Sequence, residues 1–282
     1  MTLWNQVTII GTGLIGGSLG LALKQAGAAQ RIVGVGHRQT TLDRAVAGGA
    51  ADAGTLDPAE GVRGSDLVVL ATAVGLFEPL LAQAAGDLDD GALVIDVGST
   101  KAQVVRTLTP LVPEGRFFVG CHPIAGSEKR GVDYADADLF AGATCVVTPT
   151  DDTPAEAVAR TVATWEAVGM HVVQMAPAAH DRLLGEVSHL PHVAAAALVL
   201  TVTPDGEPLT GTGWTDLTRI ASADPALWRD ILATNTEGVV RALEAFEQSL
   251  GALRAALAAG DTATLQRLLA EAKERRDRIV GR

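Results

Sequence analysis

Residues 7–18 read Val-Thr-Ile-Ile-Gly-Thr-Gly-Leu-Ile-Gly-Gly-Ser, and this run narrows the choice of fold more than any other part of the chain. Four β-branched residues in a row favour a strand, and the glycine at position 11 ends it. A helix-compatible stretch follows over residues 19–25 and stops at Gly27, and a second strand is expected over residues 31–35. Strand, glycine turn, helix and strand in this order make a β–α–β unit that opens on G-x-G-x-x-G. Each glycine has a task. Gly11 permits the tight turn, Gly13 lets a pyrophosphate approach the backbone, and Gly16 lets helix pack on strand. Free amides in the first helical turn then face the phosphates. The pattern predicts a dinucleotide-binding, Rossmann-type half at the amino end.

Further strands are expected over residues 67–71, 93–97, 117–119, 144–148 and 171–174, with helices over 76–85, 100–108 and 154–168. This alternation predicts an α/β, doubly wound, mostly parallel sheet. After Met175-Ala176-Pro177 the strand signals cease, and Ala, Leu, Arg and Glu recur at helical spacing. Helices are expected over 178–200, 209–223, 224–259 and 261–280. The 282 residues thus divide into a dinucleotide-binding domain, 1–176, and an all-α domain, 177–282. Leu232, Val239, Leu243, Phe246, Leu250 and Leu257 form an apolar stripe that reads as core or subunit interface.

A formal charge of −11 excludes a dominant basic face, so neither nucleic acid nor an anionic membrane is an expected partner. The apolar opening is broken by glycines, and residues 193–202 fall short of the ~20 needed to span a bilayer. Two cysteines make no disulfide framework or metal spacing. A soluble, cytoplasmic protein is the expectation.

Candidate chemistry concentrates at five places. His122, followed by Pro123, is expected on a loop near the cofactor, where an imidazole can take a proton from a carbon losing hydride. Ser99 follows an expected strand end and is either a hydrogen-bond partner there or the cap of the next helix. Beyond the second strand His37, Arg38, Gln39, Thr40 and Thr41 precede the first acid, Asp43. A carboxylate there would select the ribose of NAD(H), so its absence beside Arg38 favours NADP(H), with NAD(H) as the alternative. His180, His189 and His192 fall in the apolar half without a completing carboxylate or thiolate, so they read as substrate binders rather than a metal site. Arg219, between Leu217 and Ile220 in an otherwise apolar half, is expected to be buried and so to need an anion: Asp216 or a substrate carboxylate.

Together these residues resemble the prephenate/arogenate dehydrogenase family of tyrosine biosynthesis. The resemblance rests on the Gly11 to Gly17 fingerprint, Asp96 to Lys101, His122-Pro123-x-x-Gly126-x-Glu128-Lys129-x-Gly131, Ser188 to His192, and Asp216-x-x-Arg219 with Asp224-Pro225-x-x-Trp228. It implies an enzyme of two domains that dimerises through the helical one. His122 and Ser99 would be catalytic. Arg219 and His192 would hold the substrate, with Glu128, His180, His189 and Trp228 around them. Cofactor contacts would come from Gly11, Gly13, Leu14, Ile15 and Gly16, and from His37, Arg38, Thr72 and Ser99. Prephenate is the favoured substrate and arogenate the alternative. Related two-domain dehydrogenases of β-hydroxy acids use a helical lysine, whereas this helical half holds only Lys273. A non-catalytic dinucleotide sensor is the rival outside enzymology.

Overall fold

Val, Ile and Leu fill several strands without polar interruption, as expected for parallel strands covered on both faces. The computed structural model describes residues 2–126 and 129–281. The elements run β1 (Trp4–Ile10), α1 (Leu14–Gln25), β2 (Ala29–Val35), α2 (Gln39–Ala47), β3 (Ala53–Thr55), α3 (Pro58–Val62), β4 (Leu67–Leu70) and α4 (Phe77–Ala84). They continue with β5 (Leu93–Asp96), α5 (Ala102–Leu108), β6 (Phe117–Ile124), β7 (Thr144–Thr148), α6 (Ala155–Ala167) and β8 (His171–Gln174). One sheet results, in the order β3-β2-β1-β4-β5-β6-β7-β8. Strands β1 to β6 are parallel, and β7 and β8 run the other way. Leu19, Leu23 and Trp165 of α1 and α6 cover one face, and Phe77, Leu81 and Leu108 of α4 and α5 cover the other.

The order reverses between β1 and β4, and such a switch point is where ligands bind beyond the carboxyl ends of strands. The same edge carries the ends of β5 and β6. Strand β6 outruns β5: pairing with β5 ends at Val119, while pairing with β7 continues from Gly120 to Ile124.

The helical half comprises α7 (Pro177–Leu184), a π-helical turn (Gly185–His189), α8 (Leu190–Leu200), α9 (Thr212–Thr218), α10 (Pro225–Thr234), α11 (Thr236–Ala259) and α12 (Thr262–Val280). Residues 177–200 form one run long and apolar enough to cross a membrane by those criteria. In this fold its buried His180 and Asp181 bond groups of the sheet half, and His189 and His192 pack on Asn235 and Trp228. Two expectations need correction. The helix expected over 209–223 shrinks to α9 with short 3-10 turns beside it. The helix expected over 224–259 breaks at Asn235, whose side chain bonds elsewhere in the fold.

Candidate active site

Gly11 has φ +107°, and a Cβ there would stand 2.6 Å from Ala71 O and 2.8 Å from Thr72 Cγ2. A Cβ on Gly16 would lie 2.0 Å from Gly11 O. Gly13 differs: a Cβ would meet nothing within 4 Å, so its outer side is open. No side chain caps α1, whose first turn holds the half-buried Leu14 and Ile15. Thr12 Oγ1 is buried without a hydrogen-bond partner among the described residues. A crowded turn with one open glycine and an uncapped helix start fits a dinucleotide pyrophosphate. Thr72, half-buried after β4, flanks this turn. His37 and Arg38 are exposed at the end of β2, and Arg38 has no ion pair among the described residues. Ile15 Cδ1 lies 3.7 Å from the position a Gly126 Cβ would take, so the loop after β6 passes over the start of α1.

His122 sits within β6, not on a loop. Its neighbour Pro123 is tolerated because this stretch has lost β5 and is paired only on the β7 side. Beneath it lies a buried ion pair of Asp96 and Lys101. Asp96 accepts from Cys121 N (3.0 Å) and Gly98 N (2.8 Å), and Lys101 Nζ donates to Cys121 O (2.7 Å). Burial pushes the Asp96 carboxyl up, and Lys101 opposes that shift. The pair ties the end of β5 to the overhanging part of β6, and so fixes the backbone beside His122.

The seam with the helical half is polar. Asp181 of α7 accepts from Lys101 N (2.7 Å) and Ala102 N (2.8 Å), capping α5 from across the seam. Ser99 is therefore not the cap; it is half-buried just before Thr100, whose Oγ1 bonds Thr234 Oγ1 of α10 at 2.8 Å. His180 Nδ1 lies 2.8 Å from Asp181 Oδ1, and His180 Nε2 lies 2.9 Å from His122 Nδ1. His180 is 0% exposed behind His122, so its ring is not part of a substrate surface. His122 itself is half-buried. Burial holds its imidazole well below the usual value, helped by His180, Lys101 and His189.

Asn235 donates to Asp181 O (2.7 Å) and to His189 Nδ1 (3.0 Å). Burial lowers His189 to about 4, with Asp181 opposing. Trp228 of α10 meets His189 edge-on at 6.0 Å and stacks flat on His192 at 3.5 Å. His192 Nδ1 is buried without a partner among the described residues. The structure thus groups His122, His180, His189, His192 and Trp228 along one seam.

Arg219 follows α9 in a turn packed on α8. Contrary to expectation it is exposed, and no ion pair joins it to Asp216 among the described residues. It opens the short 3-10 turn Arg219–Ser222 on the solvent side, next to the buried Thr218. Glu128 lies outside the described residues. Sequence reasoning missed Asp181, Asn235 and the function of Lys101. A lysine at the end of an apolar strand unit was the one local signal available.

A dinucleotide cradle at the switch point, facing a seam that presents a buried-side imidazole, defines a nicotinamide-dependent dehydrogenase of two domains. Residues 19–174 match the model of the prephenate dehydrogenase nucleotide-binding domain, and residues 176–271 that of the prephenate dehydrogenase dimerization domain. Prephenate dehydrogenase of Bacillus subtilis (strain 168) is 33% identical over 280 residues, covering 97% of this chain and 76% of that protein. The crystal structure of Aquifex aeolicus prephenate dehydrogenase with hydroxyphenyl propionate and NAD+ superposes with a TM-score of 0.91 at 36% identity, covering 98% of each chain. Synechocystis arogenate dehydrogenase gives 0.86 at 28% identity, covering 97% of this chain and 99% of that one. The chain belongs to the prephenate dehydrogenase family.

Proposed function

We propose that this chain catalyses the NAD(P)+-dependent oxidative decarboxylation of prephenate to 4-hydroxyphenylpyruvate in tyrosine biosynthesis. The observation that carries the reading is His122, an imidazole at the carboxyl edge of the sheet with one nitrogen engaged by His180 and burial keeping it unprotonated near neutral pH. A dinucleotide bound at the glycine turn would supply the hydride acceptor. His122 takes the proton of the ring hydroxyl as that C–O bond becomes a carbonyl, and Ser99 orients the same hydroxyl. The ring carboxylate then leaves as carbon dioxide and aromaticity returns, which makes the step effectively irreversible.

Prephenate is a dianion, and the chain carries −11. Local donors must therefore outweigh the distant field. The Arg219 guanidinium is assigned to a substrate carboxylate. His192, held flat by Trp228 with a partnerless Nδ1, is assigned to the side chain of the substrate. His189 supports that surface through Trp228.

Arg38, exposed and without an ion pair among the described residues, supports NADP+ over NAD+. Apolar side chains exposed on α11 and α12, among them Leu250, Leu257 and Leu269, support a homodimer through these helices. A cytoplasmic location is in keeping with two buried free cysteines. Arogenate is the second substrate to consider, because the Synechocystis relative bears that name.

The test is a matrix of prephenate or arogenate against NAD+ or NADP+, read by near-ultraviolet absorbance. Prephenate with NADP+ is expected to give the largest signal. Four flat traces from protein that binds dinucleotide would replace this reading with a sensor. His122→Asn is expected to lower turnover by ~10²-fold or more while dinucleotide affinity survives.

A further inference from the structure

We propose that Asp181 is a positioning residue for this reaction: acting through His180, it decides which nitrogen of His122 is free to accept a proton. The inference rests on the reading of His122 as the base. Its ground is the set of donors around one carboxylate. Lys101 N, Ala102 N and His180 Nδ1 all lie within 2.8 Å of Asp181 oxygens. Both backbone groups are fixed donors, and both oxygens are claimed by them, so a carboxyl proton would point at an N–H. Asp181 is therefore a carboxylate, and His180 Nδ1 must carry the hydrogen between them.

Consequences pass along the rings. With its hydrogen on Nδ1, neutral His180 presents a lone pair at Nε2. His122 Nδ1, 2.9 Å away, must then be the donor. That leaves His122 Nε2 as the lone pair, free of any partner in the chain among the described residues. When Nε2 takes up a proton, Nδ1–H still donates to His180, so the same bonds serve the base before and after transfer. An Asp–His pair performs this service in serine-protease triads, where the wrong tautomer costs about 10⁴ in turnover. Here a second imidazole is interposed.

The arrangement has a structural alternative, since Asp181 also caps α5 and could act by stability alone. Two substitutions separate the two. His180→Leu leaves the cap intact but breaks the chain of rings. His180→Gln restores it, because the amide can donate to Asp181 and its carbonyl can accept from His122.

The experiment uses full-length protein labelled with ¹⁵N-histidine, with His122 resonances identified by their loss in His122→Asn. In the wild type at pH 7, His122 is expected to show hydrogen on Nδ1 and a bare Nε2. In Asp181→Ala and His180→Leu it is expected to shift toward hydrogen on Nε2, with kcat lower by ~10²-fold or more. KM for prephenate should stay within about threefold, and His180→Gln should recover turnover to within about tenfold of wild type. An unchanged His122 spectrum in both variants, or hydrogen on Nε2 in the wild type, overturns the proposal. So does a loss confined to Asp181→Ala that tracks its thermal stability. Inactive wild-type protein with His122 bare at Nε2 would instead remove the functional reading and leave the tautomer control standing.

Discussion

In the sheet half Val7, Ile32, Leu67 and Leu93 are fully enclosed, whereas in the helical half the enclosed side chains include His180 and His189 while Leu209, Leu217 and Leu257 face outward. Both apolar clusters that cover the sheet lie within residues 4–170. The sheet half therefore makes its own core. The helical half buries only a few apolar side chains, Ile231 and Val239 among them, sets His180 and Asp181 against the sheet half and leaves many leucines exposed. One half supplies a closed core, and the other brings polar groups to the seam and leaves apolar side chains exposed.

That contrast can be broken at several points. The largest effect is expected from Asp96→Ala, which strands Lys101 as an unpaired buried charge and should cost about 3–5 kcal/mol in urea unfolding. A loss below about 1 kcal/mol would mean the pair does not hold β5 to β6. Next comes a matched pair of truncations. Leu67→Ala in the sheet should cost about 2–5 kcal/mol. Leu257→Ala, at an exposed position, should change the stability of the single chain by no more than about 0.5 kcal/mol. Leu257→Asp should keep the far-ultraviolet spectrum while moving sedimentation toward a single chain. Equal losses from both truncations would erase the distinction between the halves.

Acid sharpens the comparison further. Burial depresses His122, His189 and His192. The unfolded chain takes up these protons near pH 6.5, while folded His189 resists until about 4. The stability they contribute is full above pH 6.5 and is lost as pH falls through that window. Urea midpoints at pH 7 and pH 5 measure it, and His189→Asn should flatten the slope. A change confined to the cofactor is expected from Arg38→Ala, with NADP+ affinity falling about tenfold and NAD+ affinity changing less than twofold. Equal losses would detach Arg38 from cofactor choice.

The sheet was legible because a strand buried on both faces must be apolar along its length, as Leu67-Val68-Val69-Leu70 is. Strand β3 was not, because Ala53-Gly54-Thr55 lies at the sheet edge and buries little. His122 was read as a loop residue because proline is barred from central strands. That rule fails where the strand outruns its neighbour. The seam was the least legible region. Capping rules look two or three residues along the chain, yet the group that caps α5 stands 80 residues away at Asp181. The break at Asn235 is equally nonlocal, since its side chain answers to Asp181 and His189. Arg219 shows the reverse error: apolar neighbours in sequence do not bury a residue whose turn faces solvent.

The wide turn at Gly185 to His189 has one more consequence. It takes up an extra residue inside an otherwise continuous helical run, and each residue rotates an α-helix by about 100°. Shortening this turn by one residue would restore an unbroken helix and swing α8 through that angle, while Thr100 still holds α10 through Thr234. His192 would leave the face of Trp228 while His180 kept its place against the sheet. The phase between the two ends of this rod is thus set by a count of residues, so a one-residue deletion here is a sharper disruption than most changes of side chain.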